Sequence, residues 1–264
     1  MNSTLNQIAQ IKKYGYTLDF SNVFNHAFEN YKKIALYAGL ILLILFILSF
    51  FIGGLGFVLY YGAENLNKDF IESFANGQPS TTNLIIYTGA ATLLTAFFSP
   101  FTAGFLKMAD CADKDETFNV STLFIYYRPH YFFQIFLATL LIGFVTGLIS
   151  VVLNYLGIII VDTVLSVIIS LFTSLTIPLI IFGGLHVSDA IKSSILIISK
   201  QPLTIILLFI VAGIASMVGF IGCCIGIVFT IPFTYSMTYA IYSAILSTED
   251  HTDSIDSIGR SDFE

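Results

Sequence analysis

Long apolar stretches separated by short polar segments dominate the hydrophobic pattern of this chain. The runs 34–60 and 84–108 are each long enough to cross a bilayer as one helix, which needs about 20 apolar residues. The stretches 131–185 and 203–246 are each about twice that length, so each predicts a hairpin of two spans. The pattern therefore predicts an all-α integral membrane protein with six transmembrane helices arranged as three hairpins.

Turn residues near the middle of the two long stretches mark where each hairpin should reverse. In the first, the turn is expected near Asn154, Gly157 and Asp162. In the second, it is expected at the glycine-rich segment 219–226. Because this second turn is tight, the alternative that 203–246 is partly re-entrant stays open.

An amphipathic segment precedes each predicted hairpin. From Phe20 to Tyr31, apolar residues recur at i, i+3, i+4, i+7, i+8 and i+11, which puts them on one helical face. The template returns before the fifth span, in 187–200, and a weaker version precedes the third span, in 119–130. The predicted N-caps are Ser21, Asn119 and Ser188. We expect these interfacial helices to lie flat on the membrane and contact lipid; alternatively, they are connectors docked on the protein.

Prolines occupy equivalent positions in these units and are predicted to kink the second helix of each hairpin, at Pro100, Pro178 and Pro232. The chain is therefore interpreted as one membrane domain, 1–247, with repeat units at about 18–110, 117–186 and 187–247.

Lysine and arginine are distributed unevenly about the predicted spans. Of the 11 basic residues, only Lys68 lies on the side opposite the N-terminus. The positive-inside rule then predicts that both termini are cytoplasmic. Since no cleavable signal peptide is evident, we expect a multi-pass protein of the plasma (inner) membrane. The acidic tail 248–264 is predicted to be disordered and available to a cytoplasmic partner.

Composition supports the membrane interpretation and excludes some functions. The chain is 56% hydrophobic and 11% charged, against about 25% charged residues in soluble domains. Its net charge of −6 argues against nucleic acid as a partner. No metal-ligand spacing, nucleotide motif or nucleophile–base pair is present, so the sequence predicts no catalytic, metal or cofactor site and no enzyme.

Hydroxyl side chains accompany proline along the even-numbered spans and admit two interpretations. They line a polar cavity, or they close hydrogen bonds between helices and to carbonyls that proline has freed; the second is preferred. The candidate cavity residues are Thr92, Ser99, Ser170, Thr176, Thr230 and Thr234. In the third span, Gly143-x-x-x-Gly147 predicts close helix packing within the monomer.

Several local patterns together resemble a known group of membrane proteins. They are the segment 20–33, Pro100-Phe101-Thr102-Ala103-Gly104, the segment 190–202, Gly222-Cys223-Cys224-Ile225-Gly226 and Thr230-Ile231-Pro232. With these, most of 18–247 resembles bacterial six-helix membrane proteins, including the YciC-like proteins and the membrane domain attached to some glycerophosphoryl diester phosphodiesterases. The resemblance implies a bacterial membrane protein and no catalytic residues. Tryptophan, often found near the first span of such proteins, is absent.

Two functions fit these patterns. The leading hypothesis is a non-enzymatic scaffold that organises membrane lipids or partner proteins through its cytoplasmic surface. The alternative is a transporter of a small neutral or lipid-like solute. A closed apolar bundle favours the scaffold, whereas a polar cavity between the second, fourth and sixth spans favours the transporter. The sequence predicts no oligomeric state.

Overall fold

The computed structural model describes residues 3–62, 81–222 and 226–246, and every regular element in these ranges is helical. Two 3₁₀ turns, Ile125–Tyr127 and Val218–Gly222, join some of the helices. In chain order the α-helices are α1 (Ser3–Tyr14), α2 (Phe20–Tyr61), α3 (Thr81–Asp113), α4 (Val120–Leu123), α5 (Pro129–Tyr155), α6 (Ile159–Thr173), α7 (Thr176–Ile181), α8 (Val187–Lys200), α9 (Pro202–Met217), α10 (Gly226–Thr230) and α11 (Pro232–Ile245). The predicted acidic tail 248–264 lies outside the described residues.

Within the described ranges, five helical stretches are long and apolar enough to cross a membrane. They are Phe20–Leu59, Thr82–Asp113, Pro129–Tyr155, Ile159–Ile181 and Pro202–Phe220. These stretches give the chain the character of an all-α membrane protein. The predicted sixth span is divided into α10 and α11, which have 5 and 14 residues, and neither is long enough to cross alone.

The first amphipathic segment is continuous with the first span, in contrast to the expected flat helix. α2 runs unbroken for 42 residues, about 63 Å at 1.5 Å per residue, or about twice the thickness of the hydrocarbon core. The amphipathic turns therefore extend the spanning helix along its own axis. The N-cap is Asp19, whose carboxylate accepts from the Asn22 N–H at 2.8 Å, so Ser21 was the wrong prediction. A carboxylate is the stronger acceptor for this exposed N–H group.

The other two amphipathic segments pack on the protein. Residues 119–130 form α4 and a 3₁₀ turn, and the capping box between Asn119 and Thr122 confirms Asn119 as an N-cap. α8 is a separate helix capped at His186 without a side-chain bond, so Ser188 was also wrong. In α8, Ala190, Ile197 and Ile198 are completely buried. The alternative of a docked connector therefore describes α8.

A helix that the hydrophobic pattern did not predict, α1, packs against α8 through the buried Ile8 and Ile11. The linker after it is held by side-chain bonds. The Tyr16 hydroxyl donates to the Ile197 carbonyl at 3.0 Å, and the Gln201 amide bonds the backbone of Tyr16 and Leu18. Burial raises the pKa of Tyr16 to about 12, so this hydroxyl keeps its proton at neutral pH.

The buried core lies at one end of the bundle, which we call the core end: here α2 and α5 begin, and α3, α7 and α11 end. α11 is central to it, contacting α2, α3, α7 and α9, and Met237, Ala240 and Ile241 are completely buried. Toward the opposite end, α2 is exposed along residues 44–56 and again at Leu59, with Phe50 at 70% and Leu59 at 76% exposure. Apolar exposure of this kind is typical of a helix surface in contact with lipid.

Two local predictions are confirmed where α5 contacts its neighbours. Gly143 and Gly147 pack against α3: a Cβ at either position would lie 2.8 Å from the methyl carbon of Thr92 or Thr88. The α5–α6 turn occurs at Gly157, which has φ +74°.

Asp162 lies in the first turn of α6 and accepts from Ser150 Oγ at 2.7 Å and Asn154 Nδ2 at 2.9 Å. Asp162 thereby fastens the two helices of this hairpin.

Candidate functional site

A cleft of about 560 Å³ opens between α3, α5, α6 and α7. Hydroxyl side chains from all four helices line it, together with alanine, glycine and isoleucine. The hydroxyl residues are Thr88, Thr92, Thr95, Thr139, Thr146, Ser150, Ser170, Thr173, Ser174 and Thr176. We call this space the hydroxyl cleft. Among its lining residues there is no ionisable side chain, so it offers hydrogen bonds without a formal charge.

Two of these hydroxyls are buried and have no hydrogen-bond partner among the residues that the structure describes. Thr176 is 1% exposed, and its Oγ1 is unpaired; Ser174 Oγ is likewise buried and unpaired. Most hydroxyls in an apolar helix bond back to a carbonyl one turn earlier, as Thr146 and Thr173 do in this cleft. Leaving a buried hydroxyl unpaired costs about 1–3 kcal/mol, so a ligand that pairs with it gains a corresponding advantage.

A break in the fourth apolar stretch places these two hydroxyls. α6 ends at Thr173 and α7 begins at Thr176, and Pro178 has no N–H to pair with the Ser174 carbonyl. Ser194 of α8, which is completely buried, forms hydrogen bonds to backbone groups at the break. Its Oγ accepts from the Leu175 N–H at 3.2 Å and donates to the Phe172 carbonyl at 2.8 Å. The break is therefore a fixed, hydrogen-bonded feature.

A further unpaired polar atom lies on the α5 side of the bundle. The Oε1 of Gln134 is buried without a partner. Gln134 precedes Ala138, a residue that lines the hydroxyl cleft, by one helical turn, so both are on the same face of α5. Among the described residues of α5, one unpaired polar atom thus lies between the cleft and the core end.

The structure divides the predicted cavity residues into two groups. Thr92, Ser170 and Thr176 line the hydroxyl cleft. Ser99 lines a neighbouring cavity of about 410 Å³ and also donates to the Ala96 carbonyl at 2.7 Å, the carbonyl that Pro100 leaves without its usual N–H donor.

The residues predicted from the sixth span also form bonds within the protein. Thr230 Oγ1 donates to the Ser216 carbonyl at 2.5 Å, and Thr234 Oγ1 lies 3.1 Å from Ser216 Oγ. Both interpretations of the hydroxyl pattern therefore apply, and at Ser99 they apply together. Among the described residues, those of α11 do not line the cleft.

The three predicted kink prolines have different environments. Pro100 lies inside the continuous helix α3. Pro178 lies in the first turn of α7 just after the break, and Pro232 is the first residue of α11. Just before each of the latter two prolines the helix is interrupted, which is a larger change than the predicted kink.

Sequence reasoning missed the contribution of α5 to the cleft, because it followed only the even-numbered spans. Thr139, Gly143, Thr146, Gly147 and Ser150 recur at helical spacing and share one face. Small and hydroxyl residues on one face of an otherwise bulky span were the signal that could have revealed it.

A second polar group, a charged network at the core end, was also missed. Asp110, 4% exposed, lies 2.5 Å from Lys107 Nζ and 3.2 Å from Lys114 Nζ. The Tyr239 hydroxyl lies 3.1 Å from Asp110 and 3.0 Å from Asp113, so the two carboxylates share its one proton. Asp113 in turn lies 2.5 Å from His26 Nε2. Every carboxylate in this network has a cation or a hydrogen-bond donor, and the network joins α2, α3 and α11.

Comparison with known proteins finds no matching family model, no matching curated protein and no matching solved structure. The resemblance to the YciC-like group therefore stays a prediction, and the residues of the candidate site are assigned from geometry and chemistry alone.

Proposed function

We propose that this chain is a membrane transporter for a small neutral or lipid-like solute, which binds in the hydroxyl cleft. The observation that carries the proposal is the pair of buried, unpaired hydroxyls of Thr176 and Ser174. They lie where hydroxyls from several helices converge, and a bound solute would supply the partners they lack.

The lining of the cleft defines the chemistry of the solute. Hydroxyl groups both donate and accept hydrogen bonds, and with no charged side chain in the lining they favour a neutral polar group over an ion. Alanine, glycine and isoleucine make the rest of the wall apolar. A volume of about 560 Å³ falls within the range of small-molecule sites. A hydroxylated or glycerol-like group attached to an apolar body matches these features.

The break between α6 and α7 gives the cleft a discontinuous helix, an arrangement that transporters use to offer backbone groups to a solute. Pro178 leaves the Ser174 carbonyl without a helical donor, so that carbonyl is available beside the unpaired hydroxyls. The opposite wall is firm because Gly143 and Gly147 pack directly on α3. Binding at the break and movement of α6 against this wall form the proposed transport step.

The hypothesis of a surface scaffold has less support. It requires amphipathic faces that are free to contact lipid, whereas α8 buries Ala190, Ile197 and Ile198 in the core. The location in the plasma membrane with cytoplasmic termini remains part of the proposal. It is supported by Lys107, Lys114 and Arg128, which gather at the core end.

Cysteine accessibility tests the proposal directly. Thr92→Cys and Ser170→Cys would be made singly in a background without Cys111, Cys223 and Cys224, and treated in intact cells with a membrane-impermeant thiol reagent. Both are expected to react, because a solute site of this kind must be open to water from one side of the membrane.

The matched controls are Leu93→Cys and Ile168→Cys, on the same two helices but outside the cleft lining, where the native side chains are exposed. Facing lipid, they are expected to stay unlabelled. Equal labelling at cleft and control positions, or labelling at neither, would contradict a water-accessible solute site.

A further inference from the structure

A second cavity, of about 390 Å³, lies at the core end. Its polar lining includes three cations from two parts of the chain: Lys107 of α3 with Lys114 just after that helix, and Arg128 just before α5. The rings of Tyr126, Tyr131 and Tyr242 form much of its wall. We call this cavity the basic pocket.

The basic pocket carries an excess of positive charge. Of the described residues that line it, Asp110 is the one carboxylate, and it is already paired with Lys107 and Lys114. Asp113 and Asp115 lie nearby on the same segment but are paired with His26 and Lys33. Arg128 is exposed and has no carboxylate partner among the described residues. Three cations against Asp110 in the lining and Glu116 near Lys107 leave one excess positive charge at the pocket.

Buried hydroxyls add donors that the protein itself does not use. Tyr126 and Tyr242 are 6% and 3% exposed, and both line the pocket. Neither hydroxyl makes a hydrogen bond to any other described residue, although Tyr239 beside them makes two. Burial raises the pKa of Tyr126, so its hydroxyl keeps its proton and can donate.

Cations combined with neutral O–H donors match the chemistry of a phosphate group. An arginine fork and tyrosine hydroxyls offer several hydrogen bonds to one set of oxygens. Basic pockets between membrane helices are suited to anionic headgroups. Arg128 also immediately precedes the first residue of α5, Pro129, so the positive end of the helix dipole adds to the attraction.

We propose that the basic pocket binds the phosphate group of an anionic ligand, with Arg128 and Lys114 as charge partners and Tyr126 and Tyr242 as hydroxyl donors. This site is separate from the hydroxyl cleft and does not depend on the transport proposal. The phosphate group comes from a membrane phospholipid or from a soluble phosphate compound, and the experiment distinguishes the two.

The full chain, purified in an uncharged detergent, would be titrated by calorimetry with three probes. They are short-chain phosphatidylglycerol, short-chain phosphatidylcholine and inorganic phosphate. Binding of phosphatidylglycerol alone would assign a lipid headgroup, and binding of inorganic phosphate with similar affinity would assign a soluble ligand. Absence of binding by both anionic probes would overturn the proposal, as would equal affinity for phosphatidylcholine.

Variants test whether the basic pocket is the site. Arg128→Gln is expected to weaken binding about fivefold, as estimated for one cation near an anionic headgroup, and Arg128→Lys to weaken it less. Tyr242→Phe should weaken it while leaving the network of Tyr239 in place. Lys192→Gln is the control, since Lys192 is exposed and lies outside the pocket. The proposal fails if Arg128→Gln and Lys192→Gln have the same affinity. Because Arg128 is exposed and has no ion-pair partner in the described part of the chain, its variant should fold normally.

Discussion

Thr176 and Thr230 have the same local sequence and opposite hydrogen-bonding environments. Each begins a Thr-Ile-Pro triplet. The hydroxyl of Thr176 is buried and unpaired, whereas that of Thr230 donates to the Ser216 carbonyl. At the scale of the residue, the tertiary partner therefore decides whether a hydroxyl stabilises the fold or is available to a ligand.

The pair predicts stability changes of opposite sign. Thr176→Val removes an unpaired buried hydroxyl and should raise stability by about 1 kcal/mol while abolishing solute binding. Thr230→Val removes a bonded hydroxyl and should lower stability by about 1 kcal/mol. Thermal unfolding in detergent measures both. A loss of stability in both variants would show that Thr176 has a partner within the protein.

Two glycines of α3 give a second matched pair. A Cβ at Gly104 would lie 2.4 Å from the Cα of Leu123, a backbone atom, whereas a Cβ at Gly89 meets nothing within 4 Å. Gly104→Ala should therefore cost about 1–3 kcal/mol by forcing α3 and α4 apart. Gly89→Ala should be neutral or stabilising, since alanine is the better helix former. Equal melting temperatures for the two variants would contradict this contact.

These residue-level contacts set the limit of what the sequence could predict for the site. Thr92, Ser170 and Thr176 were found because hydroxyls are conspicuous in apolar spans. Thr230 and Thr234 could not be separated from them, because their partner Ser216 belongs to a different helix.

Asp110 was missed because its pairing with Tyr239 joins positions 129 residues apart.

At the scale of elements, the break between two helices shapes the candidate site as much as the helices themselves do. α6 and α7 together form one apolar stretch, yet the backbone breaks between them, and α8 supplies the hydrogen bonds at the break. Hydrophobicity predicted the length of this stretch correctly because length depends only on composition. Hydrophobicity could not predict the break, because the Ser194 hydroxyl that bonds the backbone there belongs to a neighbouring helix.

Ser194→Ala should weaken this junction. Without the hydroxyl, the Leu175 N–H and the Phe172 carbonyl lose their side-chain partner in a buried environment, at a cost of about 1–3 kcal/mol. Ser199→Ala is the control, since Ser199 is exposed and its Oγ donates only to Leu196 in the same helix. Thermal unfolding checks the difference, and an unchanged melting temperature for Ser194→Ala would mean that the break is held by packing alone.

At the scale of the whole molecule, the charged network joins helices that are distant in sequence. His26 of α2, Asp110 and Asp113 of α3 and Tyr239 of α11 are linked through hydrogen bonds. The five long apolar stretches followed from the sequence, but the gathering of their ends around α11 did not. That packing depends on side-chain contacts between distant segments, which hydrophobic periodicity does not encode.

Tyr239→Phe should destabilise the whole bundle. It removes the one hydroxyl proton that Asp110 and Asp113 share, and a hydrogen bond to a charged group contributes about 1.5–3 kcal/mol. Tyr242→Phe, on the same helix, removes a hydroxyl without a hydrogen bond to any described residue and should be nearly neutral in the absence of ligand. Equal melting temperatures for the two variants would show that the network contributes nothing to stability.

The central place of α11 also has a consequence for biosynthesis. The ribosome makes the helices in order, so the five long apolar stretches emerge before Pro232 does. Until Tyr239 has been added, Asp110 and Asp113 have no hydroxyl donor, and the faces of α2 and α3 that α11 covers have no partner. Chains that end before this helix would enter the bilayer with those faces of α2 and α3 uncovered. Such chains are natural targets for membrane proteases.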